Sequence, residues 1–197
     1  MMRLEHVGKD FDGKTVLTDF TFLFAADRSY LLTGASGAGK TTLLRLLAGL
    51  EKPDRGQIVR PEPLRLRMVF QEDRLLPQLT VLRNVMLETG REDIALRLLR
   101  ELELDAEAAA LPETLSGGMK RRAAIARALC AQPDVLLLDE PFNGLDEALR
   151  RRTAALIFGE MRGKCVICAT HYPEEVRAYA DELLEIRPFP DDFPQIG

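Results

Sequence analysis

The chain has 197 residues, a formal net charge of −4 and a pI near 5.4, with 46 % apolar and 29 % charged residues. That length suits one domain with a real core, and the acidic balance argues against a protein that grips nucleic-acid backbone by charge. No apolar run approaches the length of a bilayer span, and Met1-Met2-Arg3-Leu4-Glu5 starts as a strand and not as a cleavable signal, so a soluble, cytosolic polypeptide is expected.

Residues 2–7 and 15–24 read as paired strands with Asp12-Gly13 in the turn. Phe20, Phe22 and Phe24 alternate with Asp19, Thr21 and Leu23, so one face is aromatic and buried. Phe11 falls outside that alternation. A lone loop aromatic usually packs, but a ring on a flap beside a nucleotide can also stack on adenine. The apolar Tyr30-Leu31-Leu32-Thr33 then leads into Gly34-Ala35-Ser36-Gly37-Ala38-Gly39-Lys40-Thr41, and Thr42 opens a helical run to Leu50. Strand, glycine turn and helix are the context that the phosphate-loop pattern G-x-x-x-x-G-K-[ST] requires. Glycines let the backbone curl and aim N–H groups at a polyphosphate, and the helix adds its positive end. Lys40 supplies a point charge for the β- and γ-phosphates, and the Thr41 hydroxyl can sit on Mg²⁺. This loop is expected to bind a nucleoside triphosphate.

Beyond the loop helix, residues 52–56 are a turn by composition, and residues 57–60 and 67–70 read as short strands, the second ending at Gln71. A Gln there can ligate Mg²⁺ or orient a water, or be an ordinary polar loop residue. From 72 to 131 the pattern is helical: a helix over 81–88 capped by Thr80, then a Thr89…Glu92 capping box opening a helix with Ile94, Leu98, Leu99 and Leu102 on one stripe. Leu115-Ser116-Gly117-Gly118 leads into a helix from Met119 to Leu129, a weak anion-site signal by itself. Residues 135–138 are continuously apolar, as a central parallel strand is, and end in Asp139-Glu140-Pro141, where open α/β sheets place their ligands. Asp139 is placed to hold Mg²⁺ and Glu140 to take a proton from an attacking water. A helix over 146–161, a strand over 165–169 ending in Thr170-His171, a helix over 174–179, a strand over 182–187 and a Pro-rich tail close the chain. Cys165 and Cys168 form a C-x-x-C that invites a redox or zinc reading, but a strand points i and i+3 to opposite faces, so these cysteines and Cys130 are expected to be buried and structural.

In combination these stretches resemble the ATP-binding subunits of ABC transporters from residue 2 to about 187. The loop at 34–41 is similar to the Walker A, Gln71 to the Q-loop, Leu115-Ser116-Gly117-Gly118-Met119 to the signature, residues 136–140 to the Walker B, Leu145-Asp146 to the D-loop, His171 to the switch histidine and Phe11 to the A-loop. Residues 69–77 resemble importers of the nitrate, sulfonate and taurine group. Met119 in place of Gln, Asn143-Gly144 before Leu145, Tyr172 in place of Asp and Gln78 in place of an aromatic depart from the usual pattern. The resemblance implies an α/β P-loop NTPase core with a parallel sheet, an N-terminal antiparallel β flap and an inserted helical subdomain. It implies one domain over 1–187, with 1–71 and 132–187 as nucleotide-binding core, 72–131 as helical subdomain and 188–197 as tail. It also implies an ATPase that uses ATP and Mg²⁺. Lys40, Gln71, Glu140 and His171 are then catalytic, and Thr41, Gln71 and Asp139 hold the metal. Residues 34–42 and Phe11 bind nucleotide, and Ser116, Gly117, Gly118 and Asp146 complete the site of a second, identical subunit. The implied partners are that subunit, a membrane permease reached from the cytoplasmic face and, indirectly, a substrate-binding protein, with no nucleic acid. Two other classes compete: a non-transport ATPase of the same fold acting on nucleic acid or in cofactor assembly, and a regulatory nucleotide-binding subunit with little turnover.

Overall fold

The computed structural model describes residues 1–11 and 14–187; the expected Asp12-Gly13 turn and the tail from Pro188 lie outside them. Strands β1 (Met2–Phe11) and β2 (Lys14–Phe24) pair antiparallel. β3 (Ser29–Thr33) then feeds helix α1 (Lys40–Ala48) through the glycine loop. The two short strands that follow, β4 (Arg55–Val59) and β5 (Leu66–Val69), look alike in sequence but join different sheets: β4 pairs antiparallel with β1, and β5 is parallel to β6 (Val135–Asp139). Between β5 and β6 lie α2 (Val81–Val85), α3 (Glu92–Glu101) and α4 (Gly117–Cys130). After β6 come α5 (Glu147–Glu160), β7 (Cys165–Ala169), α6 (Pro173–Arg177) and β8 (Glu182–Glu185). The result is a three-stranded sheet in the order β2-β1-β4 and a five-stranded parallel sheet in the order β5-β6-β7-β3-β8.

The parallel sheet divides the core. Leu32, Leu137 and Ile167 face α1 and the antiparallel sheet, where Leu43, Leu44, Leu46 and Leu47 meet Leu4 and Phe24. Leu31, Leu136, Leu138 and Val166 face α4, α3 and α5. The two-residue period of a strand sends alternate side chains to opposite layers, which is why β6 and β7 are buried at every position. The same period separates Cys165 from Cys168, each in a different layer. All three cysteines are free and buried, and burial pushes the Cys165 thiol up to about 12 and Cys168 further in the same direction. Buried on opposite layers of the sheet and disfavoured as thiolates, the two do not form a paired redox or zinc site. On the flap, Phe20 and Phe22 are half-buried and Phe24 fully buried, opposite exposed Asp19, Thr21 and Leu23. Phe24 meets the Tyr30 ring edge-on at 4.9 Å, and the Tyr30 hydroxyl accepts the Ala25 N–H at 2.8 Å.

Some element ends differ from the sequence reading. α2 starts as expected, with the Thr80 hydroxyl accepting the Arg83 N–H at 3.3 Å, but it ends at Val85, short of residue 88. The Thr89…Glu92 capping box does not form. Gly90 turns left-handed (φ 64°), Arg91 takes the cap position of α3, and the Thr89 hydroxyl accepts the Arg91 N–H at 3.3 Å, two residues on, and lies 3.4 Å from Cys130 Sγ, instead of capping the helix. α4 begins two residues before Met119 because Ser116, not a later residue, caps it by accepting the Met119 N–H. Asn84, fully buried, holds the stretch before α2 together: its Oδ1 accepts from Leu76 N at 2.7 Å, and its Nδ2 donates to the carbonyls of Leu76, Leu79 and Thr80.

Candidate functional site

The loop at 34–41 takes a conformation only its glycines allow: Gly34, Gly37 and Gly39 have φ of 136°, 77° and 101°. At Gly34 a Cβ would also lie 2.1 Å from the Ile186 carbonyl oxygen, so the loop packs directly on the chain after β8. α1 opens with no side-chain cap and no acid in its first turn. Its positive end is thereby left to an external anion. Lys40 is buried, and its Nζ donates to the carbonyls of Gly34 at 2.7 Å and Ala35 at 3.0 Å, which holds the ammonium inside the curl of the loop.

The carboxyl ends of β6 and β7 meet this loop. Thr41 Oγ1 donates to Asp139 Oδ1 at 3.0 Å. Glu140 follows in a left-handed conformation (φ 50°). Its N–H donates to Ala169 O at 2.9 Å, and its Oε2 accepts the His171 N–H at 2.9 Å. The exposed His171 ring brings Nε2 to 3.4 Å from Glu140 Oε1. Burial pushes both carboxyls above the ordinary carboxylate range. For Asp139 the Thr41 hydrogen bond is the main opposing effect, and for Glu140 it is the His171 N–H and ring.

These groups surround a cavity of about 280 Å³ with Ser36, Gly37, Gly39, Lys40, Thr41 and Thr42 on one side and Gln71, Asp139, Glu140 and His171 on the other. Gly34, Ala35 and Ala38 belong to the same loop without lining the cavity. Val16 of β2 does line it, and no motif in the sequence pointed to it. Phe11, Ser116, Gly117, Gly118 and Asp146 are not among its walls. Phe11 is the last residue of β1 and not a loop residue; it pairs with Lys14, and the Lys9 ammonium sits 4.9 Å from its ring centre. Ser116, Gly117 and Gly118 form the N-terminal end of α4, and Asp146 caps α5 by accepting the Leu149 N–H at 2.9 Å. Two of the departures from the usual pattern, at Gly144 and Tyr172, fit locally. Gly144 is left-handed (φ 78°), and a Cβ on Gly118 would lie 2.7 Å from its carbonyl oxygen, so the two turns abut. Tyr172 lies under the Arg150 guanidinium at 4.2 Å, which Glu175 holds at 2.9 Å. A second cavity, of about 310 Å³, shares no lining residue with the first and is lined by Leu50, Met68, Phe70, Leu87 and Ala124 with Arg67, Asp73, Glu88 and Arg127.

Thr41, Gln71, Asp139 and Glu140 offer oxygen ligands only, the kind a hard cation takes. Burial outweighs the pull of Lys40 and the other nearby cations on the two carboxyls, and among the described residues no cluster of three or more His, Cys, Asp or Glu can hold a metal alone. That donor set fits Mg²⁺ shared with phosphate oxygens.

A sequence model described as "ABC transporter" matches residues 17–143. An aliphatic sulfonates import ATP-binding protein of Granulibacter bethesdensis is 43 % identical, over 93 % of this chain and 79 % of its own length. A protein of the same name from Shouchella clausii is 41 % identical over 94 % and 76 %. Among solved structures, a dimeric bacterial ABC transporter cassette superposes with a TM-score of 0.85 at 27 % identity, covering 94 % of each chain. A dimeric ATP-binding cassette in a post-hydrolysis state with ADP and phosphate gives 0.82 at 26 %, over 95 % of this chain and 94 % of that one. No helix among the described residues is long and apolar enough to cross a membrane. With a phosphate loop facing two acids and a histidine across one cavity, and with these relatives, the chain belongs to the ABC transporter family as one of its ATP-binding, ATP-hydrolysing subunits.

Proposed function

We propose that this chain binds ATP with Mg²⁺ in the cavity at the carboxyl edge of the parallel sheet, pairs with a second copy across the nucleotide, and powers solute import through a separate membrane permease. The observation that carries the reading is the convergence of Lys40, Thr41, Asp139, Glu140 and His171 on that cavity. Lys40 and the loop N–H groups take the phosphate charge. Thr41, Asp139 and Gln71 would hold Mg²⁺, which would supply Lewis-acid charge stabilisation at the phosphate oxygens. Glu140 is the base: as the water oxygen bonds to the γ-phosphorus and the bond to the β–γ bridging oxygen breaks, the water proton passes to its carboxylate. His171 keeps Glu140 oriented and reaches the γ-phosphate. Phe11 offers its ring to adenine at the edge of the flap.

The trans half of the site comes from the partner copy. Ser116, Gly117 and Gly118 sit at a helix N-terminus away from the cavity of their own chain, as groups serving another copy's nucleotide would, and Asp146 links the two sites. Each charge-assisted hydrogen bond to the γ-phosphate contributes about 1.5–3 kcal/mol, and several together exceed the ~5.5 kcal/mol that swings an equilibrium from 1:99 to 99:1. Loss of the γ-phosphoryl group therefore opens the pair. The 310 Å³ groove, with an apolar floor rimmed by Arg67, Asp73, Glu88 and Arg127 and reaching Phe70 next to Gln71, supports docking of a short helix of the permease, with the subunit on the cytoplasmic membrane face in the assembled importer. The names of the relatives make an aliphatic sulfonate the first solute to test.

Glu140→Gln tests the reading. It keeps ATP affinity and lowers kcat by about 10²–10⁴-fold, the range of general-base catalysis. Hydrolysis near the wild-type rate by that variant removes Glu140 from the role of base.

A further inference from the structure

Gln71 belongs to the phosphate cavity, but what holds it lies in another element. Arg121, 6 % exposed on α4, donates from Nη1 to the Phe70 carbonyl and from Nη2 to the Gln71 carbonyl. Its Nε stands 3.3 Å from Asp73 Oδ1. Further along the same helix, Arg127 donates to Arg74 O at 2.9 Å and Asp73 O at 3.5 Å. The Arg74 guanidinium in turn covers the Phe70 ring at 3.7 Å. Four backbone carbonyls within residues 70–74 are thus strapped to α4 by two arginines. A guanidinium is a rigid planar fork, so holding two adjacent carbonyls fixes their direction as well as their distance, which an ammonium cannot do.

We propose that Arg121 is a positioning residue for Gln71, coupling the cavity of its own chain to the Ser116–Gly118 end of α4. α4 carries at its N-terminus the groups that serve the partner's nucleotide and, one turn later, the fork that holds Gln71. A displacement of one end therefore moves the other as a single body. Phe70, Asp73 and Arg127 also line the 310 Å³ groove, so an occupant of that groove bears on the same strap. The inference rests on the proposed role of Gln71 in the ATPase site.

The test uses the full chain and compares Arg121→Ala, Arg121→Lys and Gln71→Ala for steady-state hydrolysis across a Mg²⁺ titration, for binding of a fluorescent ATP analogue without Mg²⁺, and for thermal unfolding. Both Arg121 variants are expected to lower kcat by about 10–100-fold, as a misplacement of order 1 Å does, and to raise the Mg²⁺ concentration for half-maximal rate. Metal-free nucleotide affinity is expected to stay within about twofold, because the phosphate loop is untouched. The lysine variant matters most, since it keeps the charge and loses only the fork. A folded Arg121→Lys with wild-type kcat and Mg²⁺ dependence overturns the proposal. So does a parallel fall in kcat and metal-free affinity, or failure of both Arg121 variants to fold, since either marks a purely structural arginine. If Gln71→Ala itself behaves as wild type, the role of Gln71 is wrong. If it is impaired while the Arg121 variants are intact, only the strap is wrong.

Discussion

Asp139 and Glu140 stand side by side with both carboxyls raised by burial. The sign of the pH effect follows. A raised carboxyl pKa means that the fold favours the protonated form, so this contribution to stability is fully present below the ordinary carboxylate pKa and is lost as pH rises through the raised values. Under the proposed function, Mg²⁺ with ATP would bind the ionised forms and restore what is lost. The rise in melting temperature given by Mg²⁺-ATP should therefore be larger at about pH 8 than at about pH 5. A shift independent of pH contradicts the placement of Mg²⁺ beside these acids. Both residues could be found in the sequence because an uninterrupted apolar strand has one carboxyl end and they occupy it. Their electrostatics could not be read there, since the shifts come from burial in the fold and are opposed by Thr41 and His171, which arrive from distant parts of the chain.

At the scale of elements, the strand and helix types were legible and several ends were not. Apolar periodicity located β3, β6 and β7, and the caps Thr80 and Asp146 did what their residue types imply. Thr89 failed as a cap because the left-handed Gly90 redirects the chain, a backbone event with no side-chain signature. β4 and β5 could not be assigned to their sheets from their own residues, since pairing with β1 or β6 is decided by partners far along the chain. Arg121 was equally hidden: it reads as one of several basic residues on a helix, and only the fold shows its fork closed on Phe70 and Gln71. Asn84 carries no sequence signal either, although four hydrogen bonds from one buried amide organise the approach to α2. Asn84→Ala leaves those backbone groups without their partner and should cost about 2–4 kcal/mol, seen as a lower denaturant midpoint. Metal-free ATP affinity should persist, because the loop at 34–41 is not part of that network. A cost below about 0.5 kcal/mol, the size of an ordinary surface change, contradicts the role of Asn84 as a pivot.

Across the whole molecule, some of the candidate site residues do not line the phosphate cavity of their own chain. The 280 Å³ cavity gathers the phosphate loop, Gln71, Asp139, Glu140 and His171, while Ser116, Gly117 and Gly118 stand at the open end of another helix. In the proposed pair, two copies facing each other bring that second set to the partner's triphosphate. The measurement that tests this most directly is the molar mass of Glu140→Gln by light scattering, with and without Mg²⁺-ATP. The mass should rise from the 22.1 kDa of one chain toward twice that with nucleotide and return when the nucleotide is removed. A mass that stays at one chain at every protein concentration, with or without the permease, contradicts the nucleotide-bridged pair.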